Sequence, residues 1–187
     1  MEAAEGMEAM SLDLFAGLHR GAAADTDGRA VFSPCGLYRY EIERHYPTGT
    51  RTAMGMMLNP SYADAKKNDP TMGKVAGFSS RLDICRWIQT NLSAFISTDA
   101  NGLRAAADPI GPKNDQHIVG AALEADIIVV GWGGSVTNLP DYKARIERVL
   151  VLLRSTGKPI LCWGRTAAGH PRHPLMLRYS TPLEAFT

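Results

Sequence analysis

Two asparagines close successive apolar runs in this chain. Asn59 follows Ala53-Met54-Gly55-Met56-Met57-Leu58, and Asn91 follows Asp83-Ile84-Cys85-Arg86-Trp87-Ile88-Gln89-Thr90. A side-chain amide carries donors and an acceptor together, which suits the Watson–Crick edge of a nucleobase or the positioning of a water. Asparagine is also a turn residue, so its recurrence at consecutive strand ends is what points to a ligand. Behind Asn59, Pro60 and Ser61 open a polar loop that holds Asp64, Asn68 and Asp69 before Pro70. Asp64 and Asp69 form a candidate carboxylate pair for acid/base work or metal binding, and Asp69-Pro70 is equally good helix-capping chemistry.

A second concentration lies toward the C-terminus. Gly164-Arg165-Thr166-Ala167-Ala168-Gly169-His170-Pro171-Arg172-His173-Pro174 holds two histidines and two arginines. His170 and His173 are candidates for proton transfer or charge stabilisation, and Arg165 and Arg172 for holding a phosphate. Proline follows each histidine and no thiolate or carboxylate stands at ligand spacing, so no metal site is expected. Gly131-Trp132-Gly133-Gly134 offers backbone amides to a phosphate and places Trp132 to stack on a ligand. Trp87 and Trp163 lie inside apolar runs and are expected in the core. The chain carries neither a P-loop, a dinucleotide fingerprint nor a nucleophile elbow, and no cofactor is implied.

These clusters need elements to position them. Residues 52–58, 83–90, 126–131 and 159–163 read as central strands, and residues 70–82, 101–107, 112–125 and 140–155 as helices between and after them. Residues 126–131 are apolar on both faces, as parallel strands are. Residues 30–33 and 37–44 alternate like strands around Pro34-Cys35-Gly36, which predicts an antiparallel edge hairpin. The fold expected is a three-layer α/β sandwich with a mainly parallel, four-stranded central sheet plus that N-terminal hairpin. In such a sheet Asn59-Pro60-Ser61, Asn91-Leu92-Ser93, Trp132-Gly133-Gly134 and the segment from Gly164 all fall on one edge, where α/β sheets bind ligands.

The bulk numbers agree with one domain. The chain has 187 residues, 45% apolar and 21% charged, enough for a real core. Residues 30–187 are expected to form that domain. Residues 1–29, rich in alanine, glycine and acidic side chains, are expected to be a loosely held arm with a short amphipathic turn at Leu12, Leu14, Phe15 and Leu18. A net charge of +1 excludes a whole-protein basic field that would bind nucleic acid indiscriminately. No apolar run has membrane-span length, and the N-terminus lacks the basic region of a signal peptide. Three widely spaced cysteines read as reduced thiols, so a cytoplasmic protein without membrane contact is expected. Nothing in the sequence sets the oligomeric state.

Met57-Leu58-Asn59-Pro60-Ser61, Asp69-Pro70-Thr71, Asn91-Leu92, Asp108-Pro109-Ile110-Gly111-Pro112-Lys113-Asn114-Asp115, Trp132-Gly133 and Gly169-His170-Pro171-Arg172-His173-Pro174-Leu175 occur in an order that resembles an uncharacterised bacterial and phage family, known only as a domain of unknown function. A more distant resemblance is to the uracil-DNA glycosylase superfamily. That superfamily has a Gly-x-Asp/Asn-Pro loop after its first central strand, an asparagine ending its second, and a His-Pro-Ser loop after a strand ending in Trp-Gly. Here Gly55 through Asn59-Pro60, Asn91, and Trp163-Gly164 followed by His173-Pro174 are similar, with the glycine three residues early. Asparagine stands at 59 where the most active branch has aspartate, and leucine stands at 175 in place of serine.

That resemblance implies a uracil-DNA-glycosylase-like fold in which Asn59 positions a water, Asn91 reads a base edge and His173 stabilises the departing base. Asn59, His173 and Asp69 are then the expected catalytic residues. Pro60, Ser61, Asn91, Trp132, Gly133, Gly164, His170 and Arg172 are expected to bind substrate, with Tyr62 and Phe78 as aromatic candidates for stacking. The expected function is an enzyme acting on a nucleobase or nucleotide, free or in DNA, by cleavage or modification at an N-glycosidic bond. The other classes left open are a non-catalytic binder of nucleotides or modified nucleic acid and a phage-type DNA-modification transferase.

Overall fold

Among the described residues seven strands make one mixed sheet, with the order β1-β2-β4-β3-β5-β6-β7. They are β1 (Gly28–Phe32), β2 (Arg39–His45), β3 (Arg51–Met57), β4 (Ile84–Asn91), β5 (Ile127–Val130), β6 (Ile160–Cys162) and β7 (Glu184–Ala185). The computed structural model describes residues 28–61, 63–98 and 100–187. The expected loose arm and its amphipathic turn therefore lie outside the described residues, except that Gly28 and Arg29 belong to β1. Strands β4, β3, β5 and β6 run parallel, as expected. The β1–β2 hairpin is antiparallel and lies at an edge, as expected, and it joins the sheet antiparallel to β4. The expected set is one strand short: β7 pairs antiparallel with β6 at the far edge. Its two exposed residues are too few to show any alternation.

Helix α1 (Pro70–Ser79) packs on one face of the sheet, and α2 (Ala100–Ala105), α3 (Asn114–Glu124) and α4 (Tyr142–Ser155) cover the other. This split follows from chain order. The crossover from β3 to β4 goes one way along the sheet, while those from β4 to β5 and β5 to β6 go the opposite way. Right-handed crossovers then put their helices on opposite faces. On the α1 face, Met72, Val75 and Phe78 pack against Ala53, Met57, Trp87, Val129 and Trp163. On the other, Ile118, Ala121, Ala122, Val149 and Leu153 pack against Met54, Met56, Ile88, Ile128 and Val130. Trp87 and Trp163 are core residues, fully buried with ring centroids 6.4 Å apart. Replacing either with alanine would cost about 3–5 kcal/mol. No helix among the described residues is long and apolar enough to cross a membrane.

The helices end close to where their sequences say they should. Asp69 is the N-cap of α1, its Oδ1 accepting from Met72 N–H at 2.8 Å, with Pro70 in the first turn. Helix α1 stops at Ser79, short of the expected residue 82, and residues 80–83 form a turn closed by Arg81 N–H to Phe78 O and Leu82 N–H to Ser79 O. Gly55, in the middle of β3, is required by packing: a Cβ there would lie 2.4 Å from the Trp87 ring and 2.5 Å from Gln89 Oε1. Its work is to seat Trp87 and Gln89 against the strand.

Candidate functional site

The strand order reverses direction between β3 and β5, and at such a point the loops leaving the two strands part and open a crevice. A cleft of about 290 Å³ lies there. Its lining brings together Asn59 and Ser61 from the β3 loop, Asp69 and Thr71 from the start of α1, Asn91 from the end of β4, Trp132 and Gly133 after β5, and His173 after β6. Of the residues expected from sequence, Asn59, Ser61, Asp69, Asn91, Trp132, Gly133 and His173 share this one cavity. Pro60, Gly164, His170 and Arg172 are not among its walls.

Asn91 is held from behind. Asn114, fully buried at the start of α3, donates its Nδ2 to Asn91 O at 3.1 Å and Leu92 O at 3.2 Å. Arg145 of α4 adds Nε to Leu92 O at 2.8 Å, and its Nη1 bonds to Asp115, which also accepts from Arg148 Nε at 2.6 Å. The segment from Asp108 to Asp115 is thus a brace for the end of β4. Asp108 Oδ1 accepts from the N–H groups of Ile110 and Gly111, both at 3.0 Å, and Gly111 has φ +90°. Within this brace the Asn91 side chain is 2% exposed, and its Nδ2 has no hydrogen-bond partner among the described residues. A buried donor left unmet costs about 1–3 kcal/mol, a cost that a ligand acceptor would remove.

Asn59 is placed differently. Its Nδ2 donates to Ser97 O at 2.7 Å and Pro60 O at 3.1 Å, which commits the nitrogen to the backbone and leaves Oδ1 to meet a ligand. The loop beyond it is pinned by two arginines of β2. Arg44 donates to the backbone oxygens of Glu43, Asp64, Ala65 and Lys67 and to Asn68 Oδ1, and Arg39 Nη1 donates to Ala63 O at 2.6 Å. Asp64 Oδ1 accepts from Lys66 and Lys67 N–H, both at 2.8 Å, and shapes this loop, while Asp69 caps α1.

His173 reaches the cleft because Gly133 lets it. Gly133 has φ +71° and ψ −178°, and a Cβ on it would stand 3.1 Å from His173 Cβ. Gly133 N–H donates to Pro171 O at 2.9 Å, so this amide is already used and does not await a phosphate. His173 Nδ1 accepts from Leu175 N–H at 3.3 Å. A neutral imidazole held this way carries its proton on Nε2, as a donor. Burial lowers the His173 pKa, partly opposed by Asp69, which favours that neutral form.

The remaining expected residues have other partners. His170 packs edge-on against Tyr142 of α4, with centroids 6.0 Å apart. Arg165 donates to Thr187 O at 2.9 Å and lies 4.3 Å above the Phe186 ring, so it holds the C-terminus. Arg172 is exposed, and its backbone N–H closes a small hairpin with Gly164 O at 2.9 Å. In that hairpin Gly164 has φ +81° and serves the turn. Trp132 is 2% exposed and meets Phe186 edge-on at 5.6 Å, so it is a wall of the cleft more than a stacking platform. Phe78 is buried 4.5 Å from Trp163, away from the cleft, and Tyr62 lies outside the described residues. Sequence reasoning missed Arg39, Gln89, Thr71 and Ser135 as lining residues. Gln89 had a signal, being polar inside an apolar strand, but it is spoken for: it accepts from Trp87 Nε1 and donates to Gly55 O and Thr90 O.

Neither a curated protein nor a solved structure matches this chain. Residues 39–175, well over half of the chain, match the family described as "Protein of unknown function (DUF1643)". The matched span covers every residue of the cleft, from Arg39 to His173, and the chain belongs to that family.

Proposed function

We propose that this protein is an enzyme acting on a nucleobase or nucleotide, free or in DNA, by cleavage or modification at the N-glycosidic bond, on a uracil-DNA-glycosylase-like scaffold. The observation that carries this reading is the unmet Nδ2 of Asn91, buried and braced at a cleft that also receives His173 and Asn59. A planar heterocycle with ring carbonyls and N–H groups complements such an amide, and the Nε2–H of a neutral imidazole suits an oxygen that gains negative charge. In hydrolysis, Asn59 Oδ1 orients a water whose oxygen bonds to the sugar C1′. The C1′–N bond breaks with its electron pair on the base, where His173 stabilises it. The water's proton passes to Asp69, the one carboxylate among the described lining residues.

A second reading, a binder without chemistry, is favoured by Asn59 itself: an amide cannot take a proton as the aspartate of the most active branch does. One experiment separates them. Single- and double-stranded DNA, nucleosides and nucleotides are offered to the wild type, Asn59→Ala, Asn91→Ala and His173→Ala, with binding and base release both measured. For the enzyme, His173→Ala lowers release by about 10²–10³, Asn59→Ala abolishes release with binding retained, and Asn91→Ala weakens binding. Tight binding with no product from any substrate supports the binder. Binding that is indifferent to Asn91→Ala refutes both.

A further inference from the structure

One charge in the cleft has no part in the reaction above. Arg39 lines the cleft at 3% exposure. Burial pushes its pKa down to about 10, so it remains a cation at neutral pH. Arg39 is there because β2 changes register: Val31 pairs with Glu41 but Phe32 pairs with Arg39, which leaves Tyr40 without a partner on β1. Such a bulge re-aims the side chains around it. Tyr40 stacks on the His117 ring at 4.7 Å and Glu41 bonds His117 Nδ1 at 2.5 Å, both against α3. Arg39 instead joins Arg44 on the α1 face, where both reach the loop after Asn59.

The two arginines are used very differently. All three nitrogens of the Arg44 guanidinium have acceptors. Among the described residues Arg39 engages only through Nη1, and its buried Nε has no partner. Among the described residues no carboxylate pairs with it; Asp69 and Asp64 act on it only through space. Asp69 is also turned to another task, capping α1. A buried guanidinium with a free side and no direct counterion is costly to keep unless a ligand supplies the anion.

We propose that Arg39 determines specificity by binding a carboxylate carried on the nucleobase itself, so that the preferred substrates are acid-bearing bases. This rests on the reading of Asn91 as the residue that meets the base edge. Strand order places the anion. Along the sheet edge the sequence of groups is Arg39 on β2, Asn91 on β4, Asn59 after β3, Gly133 after β5 and His173 after β6. Neighbouring strands lie about 4.8 Å apart. Asn59 and His173 act at the glycosidic bond, and Arg39 stands on the strand next to that of Asn91, the residue that meets the base. A planar fork of N–H donors there matches a carboxylate.

The test is calorimetric titration with uracil, 5-carboxyuracil, 6-carboxyuracil, uridine and uridine 5′-monophosphate, using the wild type, Arg39→Gln and Asn91→Ala. The wild-type ligand series needs no variant to fold. Circular dichroism confirms that Arg39→Gln, which keeps a donor for Ala63 O, is folded. At least one carboxylated base is expected to bind on the order of tenfold tighter than uracil. Arg39→Gln removes that advantage and leaves uracil unchanged, while Asn91→Ala weakens both. Equal wild-type affinities, or an advantage that survives Arg39→Gln, overturn the inference while the base reading stands. An Arg39-dependent preference for the monophosphate over uridine moves the anion to the sugar and also overturns it. If no base binds at all, this inference and the reading of Asn91 fall together.

Discussion

Substituting Gly133 with alanine tests how the cleft is assembled, and Gly134 beside it is a matched control. Gly133 has φ +71° with ψ −178°, a region open almost only to glycine. Forcing a side chain into it costs about 1–3 kcal/mol. The new methyl would stand 3.1 Å from His173 Cβ, a contact that makes the histidine loop give way for about 1 kcal/mol more. The total, about 2–4 kcal/mol, lowers the melting temperature by roughly 4–16 °C in a domain of this size. Gly134 also lines the cleft, but it has no positive φ and a Cβ there meets nothing within 4 Å. Gly134→Ala should therefore stay within about 0.5 kcal/mol of wild type. Thermal unfolding followed by circular dichroism reads both. Equal melting of the two variants, at any temperature, would refute the claim that Gly133 is what seats His173.

The brace behind Asn91 makes a second prediction. Asn114→Ala removes two hydrogen bonds, to Asn91 O and Leu92 O; Leu92 O keeps Arg145 Nε, and Asn91 O loses its side-chain donor. Asn114 Oδ1, which has no partner among the described residues, disappears with it and offsets part of the cost, leaving about 1–3 kcal/mol. The urea midpoint should fall by roughly 0.5–1.5 M, and nucleobase binding should weaken with it; lost binding at an unchanged midpoint would mean that Asn114 touches the ligand directly. His173 carries a pH signature. Burial holds its native pKa below the ordinary 6.5, so the unfolded chain takes up the proton first. The stability it contributes is complete above pH 6.5 and is lost as pH falls through the depressed native value. Urea unfolding across that window should show a steeper loss for wild type than for His173→Gln, and parallel curves would count against a buried neutral imidazole.

The local sequence determined a good deal. Apolar runs of four to eight residues separated by amphipathic segments specify parallel strands and crossover helices, because burial on both faces leaves no other arrangement for them. Chain order then sends the ends of the four parallel strands to one edge. For that reason Asn59, Asn91, Trp132 and Gly133 were legible as neighbours although they are far apart in the chain. Asp69 was legible as a cap because capping depends on only three or four adjacent residues.

Only the tertiary structure decided which polar residues at that edge face the cavity. His170 and His173 are chemically alike in sequence, yet the Gly164–Arg172 backbone pairing turns one against Tyr142 and the close approach of Gly133 turns the other into the cleft. Arg39 is one residue of an alternating edge hairpin in the sequence, and a register shift with β1 is what turns it inward. The segment from Asp108 to Asp115 carries no assigned role in the sequence, yet it braces Asn91, because its partners lie on β4 and α4. In each case the deciding contact joins segments distant in sequence, and side-chain direction is set by that contact and not by the residue's neighbours along the chain.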